Sequence, residues 1–302
     1  MAIIRVENLE KSFKDTKVIK DLNFELEAGK CVALIGANGA GKTTTLKMLS
    51  GLLKPSKGSI YFEGERQGKD IRSLIGYLPQ HPVFYEWMTA REFLEYTGKL
   101  SGLSSREAEQ RSIDLLELVG IADARNRRIG KYSGGMKQRL GIAQAIIHKP
   151  KLIMLDEPVS ALDPFGRREV LELLEKLKQE ATVLFSTHIL NDAEEVCESI
   201  LFLHKGAVIE SGTMDEFRKK YQQLKIDLVF QGSPVVYLDS ISDHPDVIST
   251  QIEGNKASIL VNNVDVVKGL VLNMAVEKDW PLYKYEISSI TLEDVFMKVV
   301  GK

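Results

Sequence analysis

An α/β domain on a largely parallel sheet, followed by a small α+β domain, is the fold class this sequence predicts. Three observations carry that prediction. Short apolar, β-rich runs alternate with helical segments through residues 1–80 and again through 151–217, the pattern of strands joined by crossover helices. Between them, residues 81–148 turn helical throughout, which marks a helical subdomain set into the α/β frame. From residue 222 the order becomes strand, helix, two strands, helix, strand, helix, an arrangement of ferredoxin-like type. A chain of 302 residues, 44% hydrophobic and 27% charged, is long enough for one large core and a second small one. The domains are accordingly drawn at 1–221 and 222–302.

Taken in order, the first strand is read at 3–6, within MAIIRVENLEKSF, which reads as a strand and not as a signal peptide. Further strands are read at 31–35, 59–62 and 75–78, with one helix over 41–49. In the helical stretch, Thr89 with Glu92 and Ser104 with Glu107 have the spacing of capping boxes, and Gly120 is a helix stop. Strands return at 152–155 and 182–186, separated by a helix that Asp163 caps and Pro164 begins. A hairpin at 204–207 and a helix over 215–221 close the first domain. The second domain reads strand 225–230, helix 235–241, strands 248–252 and 257–261, helix 264–275, strand 282–287 and helix 292–299. The apolar stripe of the 264–275 helix is read as core.

Composition then excludes several classes. The net charge of −2 and pI near 6.3 leave no global basic field to draw the chain onto nucleic acid or anionic lipid, so membrane attachment must come from a partner. Cys31 and Cys197 lie far apart in sequence with no CxxC spacing, which suits a reducing cytosol and core positions over a disulfide framework or zinc site. No apolar run approaches the roughly 20 residues of a membrane helix, and a soluble protein is expected. The sequence carries no internal repeat and no low-complexity tract.

Residues 36–43, GANGAGKT, match the phosphate-loop pattern G-x-x-x-x-G-K-[ST] between a strand ending at Ile35 and a helix starting near Gly41. At average composition, chance gives such a match in about 1% of chains this long, so the reading as a mere glycine-rich turn is set aside. Gly36, Gly39 and Gly41 let backbone N–H groups converge on phosphates, with Asn38 and Ala40 in the same cradle, and the helix N-terminus adds a favourable dipole. Lys42 is placed to bridge the β- and γ-phosphates, Thr43 to ligate Mg2+, and Thr44 to contact the α-phosphate. The run LIMLDEP, residues 152–158, ends an apolar strand in a carboxylate, where open parallel sheets put their ligands. Asp156 is the metal-side acid, through a bound water. Glu157 follows it, placed to orient and polarise an attacking water. Adjacent acids at a strand end are ordinarily a solvated turn; a phosphate loop in the same chain gives them chemistry.

Residues 132–136 read YSGGM and open KQRLGIAQAIIH, a helix starting at Ser133 with its apolar face at Leu140, Ala143, Ile146 and Ile147. This run resembles the signature sequence of ABC ATPases, and it stands in the family's order, after the phosphate loop and before the Asp-Glu strand. Ser133, Gly134 and Gly135 at a helix N-terminus form a second anion site, too far along the fold to serve the same phosphate loop. The resemblance implies a P-loop NTPase core with ATP or ADP and Mg2+ as ligands. It also implies a head-to-tail dimer with two ATP molecules sandwiched between one subunit's phosphate loop and the other's signature. By the same resemblance, Gln80 in GYLPQ, Asp163 in SALD and His188 in STHIL are the family's Q-, D- and H-loop residues. Gln80 would contact Mg2+ and water and transmit to the partner, and His188 would hold the γ-phosphate and Glu157. Phe13 matches the aromatic that stacks on adenine, with Val18 beside it. Tyr132 and Met136 depart from the usual LSGGQ, and Met136 cannot supply the hydrogen bonds of Gln.

The ending LEDVFMKVVG, residues 292–301, is similar to the tail of ATPase subunits serving ABC-2-type exporters. The expected function is therefore ATP binding and hydrolysis that powers transport, in the export direction, by a separate multi-spanning permease. The expected assembly is a homodimer, or a pseudo-dimer with a related subunit, peripheral on the cytoplasmic face of the membrane, with no nucleic-acid partner. A soluble ABC ATPase acting on ribosome or DNA is the alternative. Translation-factor members carry two ATPase halves in one chain, and DNA-repair and chromosome members carry coiled-coil or zinc insertions, none of which this sequence has. A non-enzymatic subunit would be expected to lack Glu157 or His188. Arg125, Arg127, Arg128 and Lys131, just before the signature, read as a solvated loop with some contact to the partner, in preference to a dock for acidic partner surface or nucleic acid.

Overall fold

In a computed structural model, which describes residues 1–65, 69–160, 162–221, 224–289 and 291–300, the chain opens with β1 (Ala2–Phe13) and β2 (Thr16–Glu27). The two strands fold back on one another through Lys14, at φ 50°, and Asp15. Then come β3 (Cys31–Ile35), α1 (Lys42–Leu49) and β4 (Lys57–Phe62), and β4 pairs antiparallel with the other side of β1. The resulting three-stranded sheet, β2-β1-β4, is one the sequence reading did not separate from the parallel one. Register shifts between Val6 and Leu9 and again around Lys11 break the two-residue period that marks a strand, so β2 went unread.

The larger sheet takes β5 (Ile75–Leu78), then, after the helical segment, β6 (Leu152–Asp156), β7 (Thr182–Thr187), β8 (Ser199–His204) and β9 (Ala207–Thr213). Its order is β5-β6-β7-β3-β8-β9, parallel throughout except for β9, which returns antiparallel at the edge. Every residue of β3, β6 and β7 is buried, as expected of central parallel strands covered on both faces. Ile35 pairs with Thr187 and Asp156 with Ser186, so the C-terminal ends of β3, β6 and β7 stand side by side. That alignment is what positions the site.

The inserted helices are α2 (Ala90–Leu100), α3 (Ser105–Leu118) and α4 (Gly134–Ile146). Both capping boxes form, Thr89 with Glu92 and Ser104 with Glu107, and each satisfies two otherwise orphan N–H groups. Gly120 follows α3 at φ 68°, the left-handed conformation that ends a helix. Arg125, Arg127, Arg128 and Lys131 are all exposed. After β6 comes α5 (Pro164–Leu177), capped by Asp163, whose Oδ1 accepts the Gly166 N–H at 2.8 Å. Between β7 and β8 lies α6 (Leu190–Val196). Cys31 and Cys197, 166 positions apart, are both buried with their sulfurs at 3.7 Å. They are core residues, and burial first, then the Cys31 sulfur, pushes the Cys197 thiol up.

Close packing divides the chain into Met1–Met214 and Asp215–Lys302. The boundary read from sequence fell at 221 and 222; residue 222 lies outside the described residues, as does Ala161 of the SALD run. The second unit begins one residue into α7 (Met214–Lys220) and runs on through β10 (Leu224–Phe230), α8 (Val235–Ser242), β11 (Val247–Glu253), β12 (Lys256–Val261), α9 (Val264–Glu277), β13 (Leu282–Ser289) and α10 (Leu292–Val300). Its sheet, β11-β12-β10-β13, is antiparallel at every pairing, the ferredoxin-like strand order. Ile226, Leu228 and Phe230 of β10 pack with Leu238, Val267, Val271 and Trp280 in a separate core. Among the described residues no helix is long and apolar enough to cross a membrane.

Candidate active site

The loop between β3 and α1 is braced from below. A Cβ on Gly36 would lie 2.4 Å from the Leu203 carbonyl, and one on Gly41, at φ 111°, 2.5 Å from Ile19 Cδ1, so neither position admits a side chain without moving its neighbours. The Gly206 N–H donates to the Ala40 carbonyl at 3.0 Å, and the Lys20 N–H donates to the Gly206 carbonyl at 2.7 Å. The β8–β9 turn and β2 therefore hold the loop together. Asn38 and Gly39 are exposed at its crest, while Ala40 is buried. Thr43 and Thr44 sit half-buried in the first turn of α1.

Lys42 is only 5% exposed. Its Nζ donates to the Gly36 carbonyl at 2.8 Å and the Ala37 carbonyl at 3.4 Å, and it lies 3.2 Å from Glu157 Oε1. The other carboxylate oxygen, Glu157 Oε2, is 3.2 Å from His188 Nδ1 and 3.5 Å from Gln80 Nε2. Lys42, Gln80 and His188, from three separate segments, thus meet around the Glu157 carboxylate. Glu157 holds φ 50°, a left-handed backbone that few non-glycine residues adopt. Ser186 Oγ accepts the Glu157 N–H at 2.9 Å and donates to Asp156 Oδ1 at 2.7 Å, so one hydroxyl fixes both acids. Sequence reasoning missed Ser186; its signal is the β6–β7 register, which no local pattern carries.

Asp156 is fully buried and its Oδ2 has no hydrogen-bond partner. A buried, unpartnered carboxylate oxygen is costly, and a divalent cation or the water of its shell is the chemistry that would satisfy it. The residues fit Mg2+ on that ground. The Tyr77 hydroxyl is also buried without a partner, and burial, then the Asp156 charge, pushes its pKa up.

The remaining residues divide into two groups. Phe13 pairs with Thr16 across the β1–β2 turn and is 46% exposed, with Lys11 Nζ 5.1 Å above its ring. Val18 is half-buried, its carbonyl 3.7 Å from the position of a Gly41 Cβ, so this end of β2 borders the phosphate loop. Ser133, Gly134 and Gly135 stand apart: among the described residues, no hydrogen bond joins them to Lys42, Gln80, Glu157 or His188. Ser133 caps α4, its Oγ accepting the Met136 N–H at 3.3 Å, and both it and Gly134 are exposed. Tyr132 is buried and donates its hydroxyl to the Ala124 carbonyl at 2.8 Å, which gives the departure from the usual leucine a structural use.

Residues 19–160 match the family model described as ABC transporter, and residues 212–300 match the C-terminal domain of ATP-binding proteins of the DrrA1-3-like kind. An uncharacterized ABC transporter ATP-binding protein of Bacillus subtilis, YxlF, is 44% identical over 299 residues, covering 99% of both chains. The bacitracin transport ATP-binding protein BcrA of Bacillus licheniformis is 34% identical over 305 residues, covering 99% of this chain and 97% of its own. Among solved structures, the dimeric post-hydrolysis state of the ATP-binding cassette MJ0796, bound to ADP and Pi, superposes with a TM-score of 0.64 at 27% identity. It covers 70% of this chain and 98% of that one.

Proposed function

The chain belongs to the ATP-binding subunits of ABC transporters, and from that premise we propose that two copies bind ATP head to tail and hydrolyse it to drive export through a separate membrane-spanning permease. The activity is ATP hydrolysis coupled to transport. One observation carries the assignment of residues: a single carboxylate, Glu157, within 3.2 Å of both Lys42 and His188 and 3.5 Å from Gln80, beside the orphan oxygen of Asp156.

Backbone N–H groups of Gly36–Gly41 and the Lys42 ammonium hold the β- and γ-phosphates, and Thr44 takes the α-phosphate. Phe13 stacks on adenine with Val18 beside it. Thr43, Gln80 and, through a water, Asp156 would hold Mg2+, which when bound neutralises charge across the β- and γ-phosphates. Glu157 accepts the proton of the attacking water, while His188 keeps that carboxylate in place and reaches the γ-phosphate. The exposed Ser133–Gly135 N-terminus of α4 serves the ATP of the partner copy, and Asp163 at the cap of α5 completes the nucleotide contacts. The relative named for bacitracin transport supports transport as the process that hydrolysis drives. The protein then sits on the cytoplasmic face of the membrane through its permease.

Purifying tagged Glu157→Gln protein with ATP from detergent-solubilised native membranes tests the reading. A co-purifying multi-spanning protein in stoichiometric amount is expected; ribosomal or DNA-bound partners without any membrane protein would replace it with a soluble remodelling role.

A further inference from the structure

Three side chains outside the cluster lead into it. β7 ends at Thr187, 2% exposed, and His188 follows directly. The Thr187 carbonyl accepts the N–H of Gly36, the first residue of the phosphate loop, at 3.4 Å. Its hydroxyl accepts the Ile189 N–H at 2.9 Å, with the Ile189 carbonyl at 3.3 Å and Asp192 Oδ2 at 3.4 Å as acceptors for its own proton. That hydroxyl closes the turn carrying His188, in the manner of a threonine side chain bridging its own backbone two residues on.

Asp192, in the first turn of α6, is fully buried. Its Oδ1 takes Arg167 Nε at 2.5 Å, and the terminal guanidinium nitrogen reaches the same oxygen. Burial pushes the Asp192 carboxyl up, and Arg167 followed by Thr187 pulls it back. A carboxylate this deep requires a cation, so Arg167 holds Asp192 in place and Asp192 in turn holds the Thr187 hydroxyl. Arg167 lies in the first turn of α5, and its N–H donates to the Asp163 carbonyl at 2.9 Å. A continuous set of contacts therefore joins the Asp163 cap to the turn that carries His188.

We propose that Arg167, Asp192 and Thr187 are positioning residues for hydrolysis, a relay that sets His188 against Glu157. The proposal rests on the hydrolytic roles given above to Glu157 and His188. A pair that merely stapled α5 to α6 would affect folding alone; a relay acts on turnover, and acts only through His188.

The test uses full-length protein with four substitutions. Asp192→Asn removes the charge, Thr187→Val removes the hydroxyl at near-constant volume, Arg167→Lys keeps the cation and Arg167→Gln removes it. Each is made alone and with His188→Ala, and kcat, KM, the Kd for a non-hydrolysable ATP analogue, and slow single-turnover rates are measured. Asp192→Asn and Thr187→Val are expected to lower kcat about tenfold with KM and Kd within about twofold, and Arg167→Lys to fall less than Arg167→Gln. In the His188→Ala background neither is expected to lower the residual rate further. Unchanged kcat per folded molecule, or the same fractional loss with and without His188, would overturn the proposal. Should Asp192→Asn not fold, Thr187→Val carries the same comparison. His188→Ala turning over at the wild-type rate would instead remove the underlying reading, and the relay with it.

Discussion

Replacing Glu157 with glutamine removes a negative charge from the centre of the cluster while keeping the side chain's size. The amide oxygen can still face Lys42, and the amide nitrogen can face His188 Nδ1, so the arrangement survives in outline. What goes is the attraction between Lys42 and Glu157, about 5 kcal/mol at 3.2 Å for an effective dielectric constant near 20, before desolvation is counted. The Gly36 and Ala37 carbonyls keep their hold on the ammonium, so the net loss of stability is set at about 2 kcal/mol, below the range for a buried charge left wholly unpaired. In a unit of this size that is a fall of about 4–8 °C in Tm. The effect on chemistry is larger. Loss of a general base is worth about 10²–10⁴ in rate, roughly 3–5 kcal/mol of barrier. Binding of ATP should hold or tighten, because a negative charge has left the neighbourhood of the phosphates. Phosphate release under saturating MgATP, nucleotide retention on gel filtration and thermal unfolding measure the three quantities. Hydrolysis within about threefold of wild type would take Glu157 out of the base role.

Three further outcomes are expected. Lys42→Ala should weaken nucleotide binding and abolish turnover, measured by equilibrium titration and phosphate release, since the loop's one buried ammonium is removed. Ser133→Arg should leave binding by the monomer intact and block the ATP-dependent dimer in gel filtration with light scattering; abolished binding by a folded monomer would exclude the two-copy site. Burial alone would raise the Glu198 carboxyl, but the Lys178 ammonium and the Cys31 N–H outweigh it and hold it below the usual carboxylate range. Its contribution to stability is thus present above that range and lost as pH falls through the lowered value. Glu198→Gln should destabilise the protein near neutrality and flatten the acid limb of stability against pH, as read by urea unfolding.

What the sequence made legible is what it writes within a few residues. The caps at Thr89, Ser104 and Asp163 each sit three positions from the N–H they accept, so their geometry follows from spacing. The wholly buried strands β3, β6 and β7 read as strands from their short apolar stretches, CVALI, LIML and VLF, for the same local reason. The phosphate loop and its strand–loop–helix context were equally plain. By contrast, the internal wiring of the site joins residues far apart in the chain: Ser186 to Asp156 across 30 positions and Gln80 to Glu157 across 77. Neither separation has a period, so only the sheet register brings them together. The two cysteines meet across 166 positions for the same reason, and β2 escaped notice because its pairing with β1 is irregular.

The brace beneath the phosphate loop changes how affinity is to be understood. Fixing a residue's backbone costs about 1–2 kcal/mol, and for a loose loop that cost would fall due each time a nucleotide arrived. Here Leu203, Gly206 and Ile19 settle it during folding, through the β8–β9 turn and β2. The ligand meets donors already facing the right way, and its binding energy is left for the phosphates themselves. The strength with which this protein grips a nucleotide is therefore decided partly at Leu203 and Gly206, two residues that need never touch one.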